Sequence, residues 1–495
     1  MADELVEVET RAGRVRGAWR SIPGSDARSA AFLGIPFARP PVGDLRFAAP
    51  VPAERWEGVR DATAYGATPQ RWVDPAGTLI PEPSVAGEAT LNVNVFTPRP
   101  DAAAGLPVMV WIHGGGYVSG SPASPWYDGR GFNRDGVVTV TISYRLGFDG
   151  FGWIDGAPQN RGVLDWIAAL EWVRDHIAAF GGDPGDVTLA GQSAGGGAVL
   201  TLLALPAAQG LFHRGLSISG ALGDIPADRA RGTAQRLAAL LGVAPTRDGF
   251  ASAPEKSIEK HQVAAAQRPD VKGIEALRLA LADAVPYGPV IDGELITEGT
   301  VEALAAGVGV DKPLLLGATD DEFAMILSGS RNKLRFVPPG LALRLLAPRL
   351  PTRRVYLRAN SELRSSVAVL GRYVSDRVFR TLVVRVAEAR AQAQGETWVY
   401  RFTWVSPTHR LSLHCLDVPF WFDCLDAPRV DAIAGTAPPQ ALADALHGTA
   451  VTWVRDGDPG WPAWSSRPGT TRIFGAAASS PDVSPDGYAS VRALL

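Results

Sequence analysis

The stretch Val187-Thr188-Leu189-Ala190-Gly191-Gln192-Ser193-Ala194-Gly195 decides how this chain is read. Its first four residues are an apolar run of strand length, and the segment from Ser193 to about Leu205, ahead of Pro206, reads as a helix. Between them, Gly191 to Gly195 fits G-x-S-x-G, a strained strand-to-helix turn that holds a serine hydroxyl out at a sheet edge. A Cβ at either glycine would collide in such a turn, and the helix that follows aims its first N–H groups at any anion forming beside the serine. With 54 glycines in the chain the pattern also arises by chance, as a tight turn with an incidental serine. The strand that enters and the helix that leaves are what give it meaning.

Outward from this turn the chain alternates. Pro107–Ile112 and Val137–Ser143 are further apolar runs, as expected of parallel strands covered on both faces. Val163, Ile167, Leu170, Val173 and Ile177 recur at helical spacing, and Gly181-Gly182 reads as the stop. Gly215–Ser219, Leu314–Leu316 and Thr397–Phe402 read as strands, Phe379–Ala393 and Leu442–Val454 as helices, and Val6–Trp19 as an edge hairpin. Strand–helix alternation of this kind implies an α/β fold with a large, mostly parallel twisted sheet flanked by helices. No repeat or low-complexity linker divides the 495 residues, so one domain over 1–495 is expected. The Ala-rich stretch of about 224–285 would form a helical cap or side subdomain within it.

A serine hydroxyl is a weak nucleophile until a histidine takes its proton and a carboxylate fixes the imidazole tautomer. Where the nucleophile sits on such an elbow, the chain order is Ser, acid, His. Of seven histidines, His409, His414 and His447 come late enough, and His447 falls on a predicted helix where a solvated face is the expectation. The strand Leu314–Leu316 runs into Asp320, Asp321 and Glu322, any of which could supply the acid. His113-Gly114-Gly115-Gly116-Tyr117 follows the strand Pro107–Ile112, and such a glycine run lets backbone N–H groups face a substrate carbonyl. The rival reading, a phosphate cradle, lacks the Gly-Lys-Ser/Thr ending.

These motifs belong to a longer collinear series. Phe32–Gly43 (FLGIPFARPPVG), Leu45-Arg46-Phe47, Leu91–Phe96, Ser143–Gly147, Gly181–Pro184, Gly191–Gly195, Pro289–Gly293, Asp321-Glu322 and Gly457-Asp458-Pro459 occur in order. In this the chain resembles the type-B carboxylesterase family, which includes bacterial para-nitrobenzyl esterases and animal cholinesterases. The resemblance implies an α/β-hydrolase fold with helical cap insertions and a serine carboxylesterase that cleaves esters through an acyl-enzyme on Ser193. It picks Glu322 as acid, and His414 as base through His414-Cys415-Leu416-Asp417-Val418-Pro419-Phe420, similar to the family's H-x-x-(D/E)-x-P-F segment. It also implies an oxyanion hole from the N–H groups of Gly115, Gly116 and Ala194. Arg46 with Glu88 and Arg145 with Asp183 resemble structural ion pairs of the family, and Ser219 is placed to bond the acid loop. Thr90 stands where the family has a cysteine, and Gln192 where it commonly has glutamate. The same triad acting on carbamates, amides or lactones is the alternative reading, with a non-catalytic binding protein behind it.

Composition bounds the rest. A net charge of −3 offers no electrostatic case for nucleic acid or an anionic membrane, and no uncharged apolar run has the length of a membrane span. The expected partner is a small-molecule ester, with no nucleic acid, no membrane and a monomer favoured. The acidic N-terminus lacks a signal-peptide pattern, so the cytoplasm is expected, with Cys415 and Cys424 as free thiols. No His/Cys cluster has metal-ligand spacing, so neither a metal nor a cofactor is expected. Of the fourteen tryptophans most should be core, while Trp72, Trp126 and Trp421, with Phe323, are candidates for a substrate pocket wall.

Overall fold

In the computed structural model, which describes residues 4–69, 78–267, 271–283, 285–475 and 482–495, the apolar runs assemble into one sheet. Its strands are β1 (Leu5–Thr10), β2 (Gly13–Ser21), β3 (Arg28–Pro36), β4 (Val59–Asp61), β5 (Asn92–Thr97), β6 (Leu106–Ile112), β7 (Val138–Ile142), β8 (Gly182–Gln192) and β9 (Arg214–Ile218). A separate pair, β10 (Ile225–Pro226) and β11 (Val290–Ile291), comes next, and β12 (Leu314–Thr319), β13 (Thr397–Phe402), β14 (Thr471–Phe474) and β15 (Asp482–Ser484) complete the sheet. Across it the order is β1-β2-β3-β5-β7-β6-β8-β9-β12-β13-β14-β15, with β4 beside β2. From β7 to β14 every neighbour is parallel, and the antiparallel pairs lie toward the two edges. Val108–Ile112, Val138–Ile142 and Val187–Ala190 are buried at every position, as strands covered on both faces must be.

Strand β8 starts at Gly182, ahead of the apolar run at Val187. Gly182 already pairs with Leu106, and the register shifts before Val108 pairs with Val187, so an irregular Gly- and Pro-containing lead-in is part of the ladder. The helix Arg161–His176 ends where expected, through a 3-10 turn and Gly181 at φ 87°, where a Cβ would stand 2.0 Å from the Arg99 carbonyl oxygen. After β9 the chain leaves the sheet for the helices Ala227–Leu241, Arg247–Ser252, Glu255–Ala266 and Ile274–Asp283. Parallel pairing of Ile225 with Val290 and of Pro226 with Ile291 pins the two ends of this excursion together.

Three expectations are corrected. The helix read as Phe379–Ala393 is the second half of a longer one, Ser366–Ser375 and Thr381–Gln392 joined by a π turn at Asp376–Arg380. Buried Arg372, Asp376 and Arg380 broke the apolar periodicity there; Arg380 pairs with Asp376 and Asp320, and Arg372 with Asp321 and Asp320. His447 is buried rather than solvated, with Nδ1 2.9 Å from the Trp421 carbonyl oxygen and Nε2 2.9 Å from Asp135 Oδ2. The ion pairs also differ: Arg145 meets Asp165 at 2.7 Å, not Asp183, and the Arg46 Nη2 atom lies 3.7 Å from Asp149. Among the described residues no helix is long and apolar enough to cross a membrane.

Candidate active site

The carboxyl ends of β6, β8, β9 and β12 supply one cluster of side chains and loops, where open α/β sheets place their ligands. β8 delivers Ser193 at φ 59° and ψ −124°, and the helix Ala194–Leu203 starts at the next residue. That backbone is strained for a residue with a Cβ, and its neighbours hold it. Ser193 N–H donates to the Ile218 carbonyl at 2.9 Å, while its own carbonyl accepts from Gly197 at 2.9 Å and Ala221 at 3.0 Å. A Cβ on Gly195 would stand 2.0 Å from the Ile112 carbonyl oxygen, and one on Gly191 2.4 Å from the Gly195 carbonyl oxygen. The elbow therefore takes its shape from β6 pressing on it. Ser193 is only 8% exposed.

β6 runs on into His113 and the glycines. Gly115 at φ 112° and Gly116 at φ 60° adopt backbone angles that favour glycine, and Gly114 passes so close to Ser193 that a Cβ would lie 3.0 Å from the serine Cβ. Among the described residues the N–H groups of Gly115, Gly116 and Ala194 donate no hydrogen bond to the protein. His113 braces the loop from beneath: its ring stacks on Tyr144 at 4.6 Å, and Nδ1–H donates to the Gly114 carbonyl at 2.8 Å. Burial pushes its pKa down to about 4, so it is neutral.

β12 ends in the acid loop, where the three carboxylates separate. Asp320 is held by Arg401 through two bonds of 2.5 and 2.8 Å. Asp321 takes Arg372 at 3.2 Å and the Ser412 N–H at 3.1 Å. Glu322 alone turns inward, fully buried, with Oε1 accepting from Ser219 Oγ at 2.6 Å and from the Thr319 N–H at 2.8 Å. Its Oε2 accepts a short hydrogen bond from Nδ1 of His414. The His414 backbone N–H also donates to the Glu322 carbonyl, at 3.0 Å. Of the three carboxylates that spacing left open, Glu322 is the one that meets His414. His409 lies elsewhere, in an exposed loop with its Nε2 3.2 Å from the Ala432 carbonyl oxygen.

The His414 ring has further neighbours. Phe323 meets it edge to face at 4.8 Å, and Phe379, carried by the π turn, lies 4.8 Å away on another side. Gln192 Nε2 sits 3.2 Å from His414 Nε2 and 3.2 Å from the Cys415 sulfur. Burial opposes a charge on this ring, but the Cys415 sulfur and the Glu322 carboxylate outweigh it and hold its pKa above the ordinary 6.5. Asp417, buried behind the pair, has its pKa pushed up to about 7 by burial and by the Glu322 charge.

Phe379 carried no local signal for a place at this site, and nothing local to Gln192 and Cys415, though each adjoins a candidate residue, showed that they would meet each other and His414. The positive φ of Cys415, 68°, shows a turn that sequence spacing alone does not announce. Of the pocket-wall candidates, Phe323 is at the site and Trp72 lies outside the described residues. Trp126 and Trp421 pack in a buried hydrophobic cluster. Both are fully buried, Trp126 with its Nε1–H on the Pro428 carbonyl at 2.9 Å and Trp421 with its Nε1–H on Asp417 at 3.2 Å. A cavity of about 270 Å³ is lined by Arg46, Val118, Arg145, Asp149 and Gln262 among others, with neither Ser193 nor His414 in its lining.

Comparison with known proteins agrees with this architecture. A sequence profile of the carboxylesterase family matches residues 4–340. The chain is 34% identical over 461 residues to a para-nitrobenzyl esterase of Bacillus subtilis (strain 168), covering 89% of this chain and 90% of that one. It is 32% identical over 500 residues to a phenmedipham hydrolase of Pseudarthrobacter oxydans, covering 94% and 95%. Among solved structures, a carboxylesterase of Geobacillus stearothermophilus superposes with TM-score 0.82 at 32% identity, over 98% of this chain and 99% of that one. From the fold, the ordered motifs and these relatives together, the chain belongs to the carboxylesterase family and is a carboxylic ester hydrolase of the α/β-hydrolase fold.

Proposed function

We propose that Ser193, His414 and Glu322 are the catalytic triad of this hydrolase, with the N–H groups of Gly115, Gly116 and Ala194 as its oxyanion hole. The observation that carries the reading is the buried Glu322–His414 hydrogen bond, set across the strand ends from a serine on a strained elbow. Ser193 Oγ attacks the ester carbonyl carbon while its proton passes to Nε2 of His414. The carbonyl oxygen takes the negative charge and rests on the three N–H groups. Collapse breaks the bond to the alcohol oxygen, which leaves with the proton held by His414. Water then attacks the acyl-serine in the same way, releasing the acid and restoring the hydroxyl. Glu322 holds Nδ1–H toward itself and favours the imidazolium that forms twice per turnover. No cofactor enters this sequence.

Free small-molecule esters are the proposed substrates, turned over by a cytoplasmic monomer with no nucleic acid partner. The names of the relatives make para-nitrobenzyl esters and phenmedipham the first compounds to offer it. The segment 224–285 is proposed as a helical side subdomain of a single domain, on the strength of the pinned ends at β10 and β11. Ser193→Ala tests the assignment: the variant should fold as the parent does and lose roughly 10³-fold or more in kcat. Ester hydrolysis by the purified variant at near parental rate would remove Ser193 from the mechanism.

A further inference from the structure

Between Phe323 and Ser361 the chain carries eight lysines and arginines and no aspartate or glutamate, although its overall charge is −3. The segment folds as a 3-10 stretch, Ala324–Ser330, and three short helices, Arg331–Leu334, Pro339–Leu346 and Arg353–Ala359. One side packs inward, burying Leu327, Leu343, Leu346 and Tyr356 in a cluster of their own. The outward side is more than polar. Ile326 is 53% exposed, Phe336 82%, Leu341 49% and Leu345 52%, and the same segment exposes Arg331, Lys333, Arg335 and Arg344.

Among the described residues none of the eight cations is in an ion pair. The carboxylates at the margins are engaged elsewhere, Glu275 with Arg278 at 2.5 Å and Glu362 with Arg372 at 3.9 Å. Arg335 lies over the ring of Phe336 instead, 4.4 Å from its centroid. Single exposed apolar residues are ordinary on a protein surface. Four of them on one segment whose exposed charges are unpaired and all of one sign are not. A surface complementary to this face must be anionic and must also take up apolar side chains. Nucleic acid phosphates meet only the first requirement. A layer of anionic lipid headgroups meets both, because acyl chains begin just beneath the charges.

We propose that this face docks on anionic phospholipid membranes, with Phe336 and the Leu341–Leu345 side of its helix entering the headgroup layer. The contact is peripheral, and it departs from the expectation of no membrane partner, which rested on the charge of the whole chain. Its position suits a hydrolase of apolar esters. Ala324 follows Glu322 by two residues, and Phe323 packs both on the cluster under the patch and on the His414 ring at 4.8 Å. An ester dissolved in the bilayer is therefore met on the side of the molecule that carries the acid loop.

The full chain is sedimented with vesicles of phosphatidylcholine alone and of phosphatidylcholine with one third phosphatidylglycerol. Binding is expected on the anionic vesicles only, and should be lost as salt shortens the screening length to a few ångströms. Two variants, Arg331→Glu/Lys333→Glu/Arg335→Glu and Phe336→Ser/Leu341→Ser/Leu345→Ser, should each weaken that binding by roughly tenfold or more. Both should keep the parental kcat/KM on a water-soluble ester, which separates this test from that of the triad. No binding to the anionic vesicles, equal binding to both kinds, or unchanged affinity in either variant overturns the proposal.

Discussion

With His414 as the proposed general base, the surroundings of its ring set the expected pH dependence. Its ring is closed in by Phe323 and Phe379, which favours the neutral form, and faces the Cys415 sulfur and the Glu322 carboxylate, which favour the charged one. The second pair prevails and the pKa stands above 6.5. A general base must be neutral in the free enzyme, so kcat/KM is lost as pH falls through that raised value. The expected profile on a non-ionising ester is a single acid limb with its midpoint above 6.5 and a plateau on the alkaline side. Glu322→Gln removes the carboxylate that favours imidazolium, so its limb should move to lower pH while the plateau also drops. A limb that stays in place in Glu322→Gln would show that Glu322 does not set the charge of His414.

At the scale of elements, the acid loop is placed by what lies under it. Asp320 meets Arg401, Arg380 and Arg372, and Arg380 meets Asp376 at 2.6 Å on the π turn that also carries Phe379. Burial alone would raise the Asp320 pKa, but the three arginines outweigh it and lower it. A carboxylate with a depressed folded pKa adds stability above its unfolded pKa, and that stability is lost as pH falls toward the folded value. Asp320→Asn removes the carboxylate that Arg401, Arg380 and Arg372 share, though Arg380 keeps Asp376 and Arg372 keeps Asp321, and should cost about 3 kcal/mol, read from a denaturant midpoint. The folded fraction should keep the parental acid limb, since Asp320 does not touch His414. The elbow belongs to this scale too. Gly195→Ala would drive a Cβ into the Ile112 carbonyl oxygen, 2.0 Å away, so soluble yield and activity should fall together.

Over the whole molecule, charge and sulfur are both distributed in ways that totals conceal. The net −3 averages a stretch of eight cations with acids elsewhere, which is why composition excluded an anionic surface that the local face invites. The two sulfurs stand apart as buried thiols, Cys415 by Gln192 and Cys424 donating to the Trp126 carbonyl at 3.6 Å. Thermal unfolding should therefore show the same midpoint with and without a reductant. A midpoint that drops under reductant, with a cross-linked peptide in a non-reducing digest, would require these two loops to rearrange.

The sequence by itself determined the sheet's parallel centre, the elbow and the glycine loop. Each of these is a local pattern whose physics closes within about ten residues: an apolar run, a glycine with no room for a Cβ, a helix start. It left the acid open among Asp320, Asp321 and Glu322 and the base open among the late histidines until a family resemblance chose. In the structure, hydrogen bonds between segments far apart in the chain separate these candidates, with arginines from other elements claiming Asp320 and Asp321 and leaving Glu322 to His414. The burial of Trp126, Trp421 and His447 was decided the same way, because a side chain's exposure depends on which distant elements cover it. Spacing along one chain cannot encode that, and only the packed sheet and its helices do.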